Sequence, residues 1–483
     1  MLPVTTILKV KHDSNGRPTL RKARCTIRGD RQIAGTHYDP KDITSPVANR
    51  DSIRTALSLA ATHDYKVYHW DLESAFLHER LPPNIEIYLQ QPSRFDGSKK
   101  YPNHVAKLKG NMYGSKQACK IFTDGLASHL QNIGFTRLSS DSCSFIHRDP
   151  SDEQSFVLLV ITVDDFLVVT NSDHLVQNVK SAIQHKYTLK DLGTVEHILG
   201  WKVTHSKEGI LISQPAYIDS LLERFRLTES KTFNSPIASE LISAGNNTDS
   251  PLDTTKFDYK ALIGSLRYVT DCTRPDIAFI VGFLGRFSNA PTNHHWKAAL
   301  RVLRYLKNTR HTGILYKRGY SSPLTAYSDA DHAACPTTRR STTGSLILYN
   351  NSPIAWQSKR QDHVAPSTHH AEYVASFHTS QLALTLSNFL SETGHPTVSP
   401  VTIYIDNAAA ITTTKATFPT PKSRHIDIKY HWLREQFTNK LIAPTHIPSN
   451  SNPADILTKA LKPAQFINKI GLLRLTSPTP CGD

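Results

Sequence analysis

The sequence predicts a multidomain protein that combines α+β and α/β parts, and three observations lead to this prediction. The chain has 483 residues, which exceeds one ordinary hydrophobic core and is enough for about two to four domains. An apolar run with two adjacent aspartates predicts a pair of buried strands. Beyond Leu324 the predicted order becomes strand, strand, strand, helix, strand, helix, helix, which is typical of an α/β layer with a mixed sheet.

The first 200 residues mix predicted strands and helices. A basic antiparallel hairpin is predicted at the start, with strands at 7–11 and 20–27 and a turn at 13–16. The further elements predicted up to residue 213 are helices at 52–61 and 117–133 and a hairpin formed by 192–203 and 210–213.

A polar stretch at 233–257 is the best candidate for a linker, because it is rich in Ser, Asn and Asp. Helices at 260–270, 276–286 and 296–309 and a loop at 310–323 follow it. The α/β part then has predicted strands at 324–328, 345–349, 353–358 and 401–405, and predicted helices at 367–391, 425–439 and 453–461.

The two adjacent aspartates, Asp164 and Asp165, are the most informative residues of the chain. Apolar segments at 156–163 and 166–169 flank them, which places the pair at the tip of a tight hairpin. Two carboxylates beside a hydrophobic sheet repel each other and are costly to desolvate, and a divalent cation would offset that cost. The alternative is an ordinary Asp-Asp turn exposed to water.

A second apolar segment also leads into a carboxylate, since Asp71 follows residues 67–70. An aspartate at the end of one strand and an aspartate pair in a neighbouring hairpin can hold two metal ions about 4 Å apart. That arrangement suits an in-line phosphoryl transfer, and Mg²⁺ fits such a site of oxygen ligands.

Four further carboxylates mark the predicted α/β part. Asp329 and Asp406 each end a predicted strand, Glu372 lies in a predicted helix, and Asp455 opens the last one. Carboxylates at strand ends and at a helix N-terminus can converge on one edge of a sheet. Each alone could be a cap or a solvated residue, but the four in this order predict a two-metal nuclease site.

The composition favours a nucleic-acid partner. The net charge of +15 suits a polyanion, with a basic solvated surface as the alternative. Six cysteines without a Cys-x-x-Cys pair argue against zinc and against a disulfide framework, and they predict a reducing intracellular compartment. Because no apolar stretch is long enough to span a bilayer, no membrane partner is expected.

A series of short motifs runs in a fixed order along nearly the whole chain. They are Lys22-Ala-Arg24, Ser45-Pro-Val47, Asp71-Leu-Glu-Ser-Ala-Phe-Leu-His78, Glu86-Ile-Tyr-Leu-Gln-Gln-Pro92, Tyr113-Gly-Ser-Lys-Gln-Ala118, Val163-Asp-Asp165, Lys190-Asp-Leu-Gly193, Gly264-Ser-Leu-Arg-Tyr268, Thr273-Arg-Pro-Asp276, Tyr327-Ser-Asp-Ala-Asp331, Ala371-Glu-Tyr-Val-Ala375, Asp406-Asn407, His425-Ile-Asp-Ile-Lys-Tyr-His431 and Ala454-Asp-Ile-Leu-Thr-Lys459. In this order they resemble the reverse transcriptase and RNase H portion of a copia-type LTR-retrotransposon Pol polyprotein.

The resemblance implies a right-hand polymerase with fingers, palm and thumb-connection parts, followed by an RNase H-like mixed-sheet domain. The implied domains are fingers and palm at 1–232, with a truncated start inside the fingers, a helical thumb-connection region at 233–322, the RNase H-like domain at 323–465 and a C-terminal tail at 466–483. The implied function is RNA-directed DNA polymerisation with cleavage of RNA in RNA–DNA hybrids.

The resemblance also implies roles for individual residues. Asp71, Asp164 and Asp165 would bind Mg²⁺ or Mn²⁺ in the palm, and Asp329, Glu372, Asp406 and Asp455 would bind it in the nuclease. Lys11 and Arg24 would hold the triphosphate, or else form an exposed basic hairpin. Phe76 would block a ribose 2′-hydroxyl, or else serve in the core, and Tyr113 with Gly114 would line the nucleotide pocket, or else make a turn.

The implied partners are an RNA template, a DNA primer and product, RNA–DNA hybrid and deoxynucleoside triphosphates, with integrase and capsid proteins of the same element as further candidates. The implied location is a cytoplasmic virus-like particle, with the nucleus as the alternative. Departures from the family pattern at Thr162, Cys119, Phe122 and His370 leave two other hypotheses open. They are an inactive remnant or domesticated nucleic-acid-binding protein, and a nuclease with a defunct palm.

Overall fold

The computed structural model describes residues 1–12, 17–91, 104–237, 250–416 and 427–477. The chain divides into two compact units. The first unit contains residues 1–49 and 67–194, and the second contains residues 50–66 and 195–483. Within the described residues, no helix has both the length and the apolar character needed to cross a membrane.

The first 194 residues contain both strands and helices. In chain order they are β1 (Val4–His12), β2 (Pro18–Ile27), α1 (Arg50–His63), β3 (Lys66–Leu72), β4 (Tyr88–Leu89), β5 (Ala106–Lys107), α2 (Ala118–Asn132), β6 (Thr136–Arg137), β7 (Ser144–Asp149), β8 (Asp152–Thr162), β9 (Asp165–Thr170), α3 (Asp173–Gln184) and β10 (Leu189–Thr194).

The remaining elements belong to the second unit. They are β11 (His197–Ile198), β12 (Trp201–Ser206), β13 (Gly209–Ser213), α4 (Pro215–Arg224), α5 (Tyr259–Cys272), α6 (Ala278–Gly285), α7 (Asn293–Asn308), β14 (Gly313–Lys317), β15 (Thr325–Ala330), β16 (Thr342–Tyr349), β17 (Ser352–Arg360), α8 (Thr368–Glu392), β18 (Val401–Ile405), α9 (Ala408–Lys415), α10 (Asp427–Thr438), β19 (Ile442–His446), α11 (Pro463–Leu472) and β20 (Leu475–Thr476).

The first unit is built on a six-stranded sheet in the order β10-β3-β9-β8-β7-β6. Strand β8 reads as a nearly continuous apolar run because residues 156–162 are all buried. Apolar side chains of α2, α3 and the sheet, among them Phe122, Val179 and Phe166, form one core. The predicted strand pair is confirmed, since β8 and β9 are antiparallel and Thr162 faces Asp165 across the turn.

The second unit contains two five-stranded sheets, in the orders β11-β12-β13-β14-β20 and β17-β16-β15-β18-β19. In the latter sheet β15 pairs antiparallel with β16 and parallel with β18, and β18 pairs parallel with β19. The predicted mixed sheet is therefore confirmed. Helix α8 packs on this sheet, where Ser345 and Thr379 share a 2.7 Å hydrogen bond.

Helix α1 belongs to the second unit although it lies between β2 and β3 in the chain. Its residues Ser52 to Thr62 are all buried. Arg54 donates hydrogen bonds to the carbonyls of Ile354 (2.7 Å), Asp271 (2.8 Å) and Cys272 (3.0 Å). One buried guanidinium thus ties α1 to both the sheet and helix α5.

Several predicted elements differ from the structure. The predicted loop at 310–323 contains strand β14, which pairs with β13. The predicted hairpin at 192–203 is wrong in part, because residues up to Thr194 pair with β3 and only β12 pairs with β13. The predicted helix at 453–461 is a 3₁₀ helix, Pro453–Leu457. Pro453 has no backbone N–H group, and the backbone N–H of the next residue, Ala454, donates a hydrogen bond to the Asn452 side chain.

The turn predicted at 13–16 and most of the predicted linker, residues 238–249, lie outside the described residues. The two strands of the predicted basic hairpin are confirmed, because β1 and β2 pair antiparallel from Val4 with Ile27 onwards. The division into fingers, palm, thumb and RNase H-like parts stays a prediction.

Candidate functional site

Three carboxylates meet at one end of the mixed sheet. Asp329 lies near the end of β15 and Asp406 directly follows β18. Because β15 and β18 run parallel side by side, their ends lie at the same edge of the sheet. Glu372 enters from the first turns of α8, and one oxygen of each of the three carboxylates lies within 4.8 Å of the others.

This cluster is buried and strongly acidic. Asp329 is 2% exposed and Glu372 is 3% exposed. Burial, reinforced by the neighbouring carboxylates, raises the pKa of Glu372 to about 9 and that of Asp329 to about 7. The Glu372 Oε1 atom accepts a hydrogen bond from Ala330 N (3.2 Å). Its Oε2 atom is buried and has no hydrogen-bond donor among the described residues.

A hard divalent cation fits these observations. The donor set consists of oxygen atoms, which Mg²⁺ and Mn²⁺ prefer. A cation would also supply the partner that the buried Glu372 Oε2 atom lacks, and it would displace the protons that burial favours on Glu372 and Asp329.

The fourth predicted nuclease carboxylate, Asp455, is held by two ammonium groups. Its Oδ1 atom lies 2.7 Å from Lys459 Nζ, and its Oδ2 atom lies 2.9 Å from Lys469 Nζ. Asp455 is 5% exposed and lies close enough to Asp329 to raise the pKa of that residue. Asp455 therefore adjoins the cluster, but its two oxygens carry ion pairs in this structure.

The three predicted palm aspartates lie together on the first unit. Asp71 lies in β3, and the backbone N–H of the next residue, Leu72, donates a 2.9 Å hydrogen bond to Asp164 O. Partial burial, and then the charges of Asp165 and Asp71, raise the pKa of Asp164. Among the described residues, these aspartates do not form a group with the close spacing of the nuclease carboxylates.

The hairpin tip that carries the aspartates has an unusual backbone. Val163 has a φ of 60°, a left-handed conformation that is strained for a β-branched residue. Thr162, one of the departures from the family pattern, is 5% exposed and donates a 3.3 Å hydrogen bond to Asp165 O. Strain of this kind persists only where the surroundings hold it, and it clusters at functional sites.

Two of the predicted nucleotide-contacting residues, Arg24 and Tyr113, line a cavity of about 340 Å³ together with Lys22 and Ser74. The Arg24 guanidinium lies 5.1 Å from the centre of the Tyr113 ring, and the Phe76 ring meets Tyr113 edge-on at 5.1 Å. These contacts bring Arg24, Phe76 and Tyr113 into one neighbourhood.

Gly114 lies where backbone segments approach closely. Its φ is +89°, and a Cβ atom at this position would lie 2.3 Å from Ile27 O. The glycine is therefore required by the packing of this turn against β2. Lys11 lies in β1, and its side chain is outside the described part of the chain.

Some residues around the two sites had no part in the sequence prediction. His69 Nε2 lies 2.9 Å from Asp165 Oδ1. Thr458 donates a hydrogen bond to Asp329 Oδ2, and Lys469 contacts Asp455. Thr458 and Lys459 fall within the motif that ends at Lys459, so the motif could have drawn attention to them. Lys469 has no local signal beyond its place in an amphipathic helix.

Comparison with known proteins identifies the family of this chain. A family described as "Reverse transcriptase (RNA-dependent DNA polymerase)" matches residues 1–239. The retrovirus-related Pol polyprotein from transposon TNT 1-94 of Nicotiana tabacum is 36% identical over 95% of this chain. A transposon Ty5-1 protein of Saccharomyces cerevisiae is 33% identical over 64% of this chain and 98% of its own length. The chain belongs to the reverse transcriptase family of copia-type transposons.

The family membership confirms the resemblance drawn from the motifs. The chain spans 34% of the length of the tobacco polyprotein. A solved RNase H1 isolated from compost is 15% identical and covers 28% of this chain and 92% of its own, with a TM-score of 0.23. A score this low adds nothing about the fold of this chain.

Proposed function

We propose that this reverse transcriptase copies RNA into DNA at the Asp71–Asp164–Asp165 site and cuts the RNA of RNA–DNA hybrids at the Asp329–Glu372–Asp406 site. One observation carries the proposal: three carboxylates from two parallel strands and a helix, of which Asp329 and Glu372 are buried, bring ligand oxygens within 4.8 Å, in a chain of the reverse transcriptase family. In the sheet order β17-β16-β15-β18-β19, the strand that comes first in the chain, β15, lies at the centre. This order supports an RNase H-like assignment.

In the proposed nuclease, Asp329, Glu372 and Asp406 would hold Mg²⁺ or Mn²⁺, and Asp455 would complete the set. When bound, such ions activate water and neutralise the charge that develops on a phosphate. The protein's own part is to hold the four carboxylates in position. Thr458 supports Asp329 with a hydrogen bond, and Ser449 Oγ donates a 2.7 Å hydrogen bond to Asp406 Oδ2.

In the proposed polymerase, Asp71, Asp164 and Asp165 would hold the ions that bring the primer 3′-hydroxyl and the incoming triphosphate together. Lys11 and Arg24 would bind the triphosphate. Phe76, fixed by ring contacts to Tyr113 at 5.1 Å and to Phe122 at 5.7 Å, would exclude a ribose 2′-hydroxyl. Tyr113 and Gly114 would form the wall of the nucleotide pocket.

The proposed partners are an RNA template, a DNA primer and product, RNA–DNA hybrid and deoxynucleoside triphosphates. The net charge of +15 supports a polyanionic partner. Two further proposals follow from family membership. Integrase and capsid proteins of the same element are partners, and the location is a cytoplasmic virus-like particle or the nucleus.

The polymerase half is tested by deoxynucleotide incorporation on a primed RNA template with Mg²⁺. The wild-type chain is expected to extend the primer, and the Asp164→Asn/Asp165→Asn variant is expected to lose extension. A folded wild-type protein that binds primed template but extends nothing would overturn the polymerase assignment.

A nuclease without polymerase activity is the second candidate function. One observation favours it: within the described residues the nuclease carboxylates have metal-ligand spacing, whereas the palm aspartates do not. Hybrid cleavage without primer extension would support this candidate. Salt-sensitive nucleic-acid binding with neither activity would instead support an inactive remnant or a domesticated binding protein.

A further inference from the structure

Helix α11 contributes a buried lysine to the nuclease cluster. The side chain of Lys469 is 9% exposed. Its Nζ atom lies 2.6 Å from Ser449 O, 2.7 Å from Asn452 O and 2.9 Å from Asp455 Oδ2. An ammonium has three N–H donors, and three oxygens are in reach here. Burying a lysine is costly unless it is paired and hydrogen-bonded, and both conditions are met.

The segment that Lys469 holds, residues 449–458, touches three of the four nuclease carboxylates. Ser449 donates through its hydroxyl to Asp406. Thr458 donates through its hydroxyl to Asp329. The third carboxylate, Asp455, lies within the segment itself. A single lysine therefore holds both Asp455 and the chain that precedes it beside the carboxylates at the sheet edge.

The same segment has little regular structure of its own. It consists of two short 3₁₀ helices, Ser449–Ser451 and Pro453–Leu457, whose hydrogen bonding is weaker than that of an α-helix. One further link to the sheet is the 2.9 Å hydrogen bond from Asn452 Nδ2 to Ser328 O, next to Asp329. Lys469 binds the carbonyl of Ser449 in the first helix, the carbonyl of Asn452 between the helices and the side chain of Asp455 in the second, and so fixes the relative position of the two helices.

The two lysines at Asp455 differ in character. Lys459 is 43% exposed at its side chain and lies near Asp455 Oδ1, whereas Lys469 is buried and has three oxygen partners. Breaking the ion pair between Lys459 and Asp455 returns the Lys459 ammonium group to water, which costs little free energy. Releasing Lys469 would leave a buried charge without its partners, which is strongly destabilising. Lys469 is thus the permanent partner of Asp455.

We infer that Lys469 is a positioning residue of the nuclease site, which fixes residues 449–458 and leaves Asp455 Oδ1 as the carboxylate oxygen that can reach a metal ion. Helix α11 then belongs to the nuclease rather than to a C-terminal tail. The inference rests on the proposed nuclease function, but the effect of Lys469 on residues 449–458 exists in the metal-free protein as well.

The test compares Lys469→Met, Lys469→Arg and the control Lys462→Met in the full chain. Lys462 is an exposed lysine directly before α11, so its variant removes the same charge without touching residues 449–458. Amide hydrogen exchange of the metal-free proteins is measured first. Lys469→Met is expected to speed exchange in residues 449–458 at least tenfold, while exchange in α8 and primer extension stay unchanged.

Hybrid cleavage is measured next. Loss of a residue that supports metal ligands typically lowers activity about 10–100-fold, and Lys469→Met is expected to lower kcat in this range with KM for the hybrid within about threefold. Lys469→Arg keeps the charge and several donors, so it is expected to restore part of kcat. Lys462→Met is expected to match the wild type.

Two results would overturn the inference. One is unchanged exchange in residues 449–458 of Lys469→Met. The other is faster exchange throughout the second unit, since this would show that Lys469 only stabilises the fold. If the wild-type chain cuts no hybrid, the proposed nuclease function fails, and the exchange measurement still decides whether Lys469 holds the segment.

Discussion

Metal binding at the nuclease cluster should depend steeply on pH. The pKa of Glu372 is raised to about 9 and that of Asp329 to about 7, mainly by burial. Glu372 is therefore protonated and Asp329 partly protonated in the metal-free protein at neutral pH, and a metal ion must displace these protons. Because deprotonation favours binding, affinity should rise with pH and level off once the pH exceeds the higher pKa.

The size of the effect follows from these two values. Between these two values the pair holds about one proton. Each proton that a metal ion displaces makes its apparent affinity rise about tenfold per pH unit. Mg²⁺ affinity should therefore increase about tenfold between pH 7 and pH 8, with about one proton released per ion.

Isothermal titration calorimetry measures both quantities. Titrations in two buffers of different ionisation enthalpy count the protons released, and the Asp164→Asn/Asp165→Asn background removes the palm ligands. Glu372→Gln in the same background should reduce the release at pH 7 by about one proton. Affinity that changes less than twofold between pH 7 and pH 8, with no proton release, would refute the assignment of buried, protonated ligands.

Three substitutions give further predictions. Arg54→Met should cost about 3–5 kcal/mol in chemical denaturation because it breaks a buried ion pair, whereas Arg50→Met, at a 43% exposed side chain, should cost under about 1 kcal/mol. Gly344→Ala should reduce hybrid cleavage without affecting primer extension, because its Cβ atom would lie 2.8 Å from a backbone atom of the 449–458 segment. The control Gly282→Ala, whose Cβ atom would lie 3.7 Å from its nearest neighbour, should leave hybrid cleavage unchanged. Phe76→Val should raise ribonucleotide incorporation relative to deoxynucleotide incorporation about tenfold or more in single-nucleotide assays.

Strand ends with carboxylates were predictable from the sequence because local patterns determine them. Alternating and continuous apolar runs located β8, β9, β15 and β18, and the acidic residues at their ends stand out in such runs. The convergence of Asp329 and Asp406 then followed from the ends of β15 and β18, which lie at the same edge of the sheet, whereas Glu372 joins them from helix α8.

Elements that depend on distant partners were missed. Strand β14 is five residues long and pairs with β13, about a hundred residues earlier in the chain, so nothing local distinguishes it from a loop. The same holds for β20, which pairs with β14. Helix α1 was predicted correctly, but its place in the second unit depends on the Arg54 contacts to residues 271–354, which no local pattern reveals.

The sequence also did not predict the finer geometry of the sites. The predicted helix at Asp455 is a 3₁₀ turn shaped by Pro453 and by the Asn452 cap. Lys469 reaches the cluster from a helix in the predicted tail, and a lysine in an amphipathic helix is ordinarily a solvated residue. Burial of such a group becomes visible only when the three oxygens around it are located.

Two separable active sites are the central claim, and paired assays on three proteins test it most directly. Primer extension and hybrid cleavage are measured on the wild type, on Asp164→Asn/Asp165→Asn and on Asp329→Asn, all with Mg²⁺. We expect the palm variant to lose extension and keep cleavage, and the Asp329 variant to lose cleavage and keep extension. Loss of both activities in either folded variant, or cleavage that survives Asp329→Asn, would contradict the assignment.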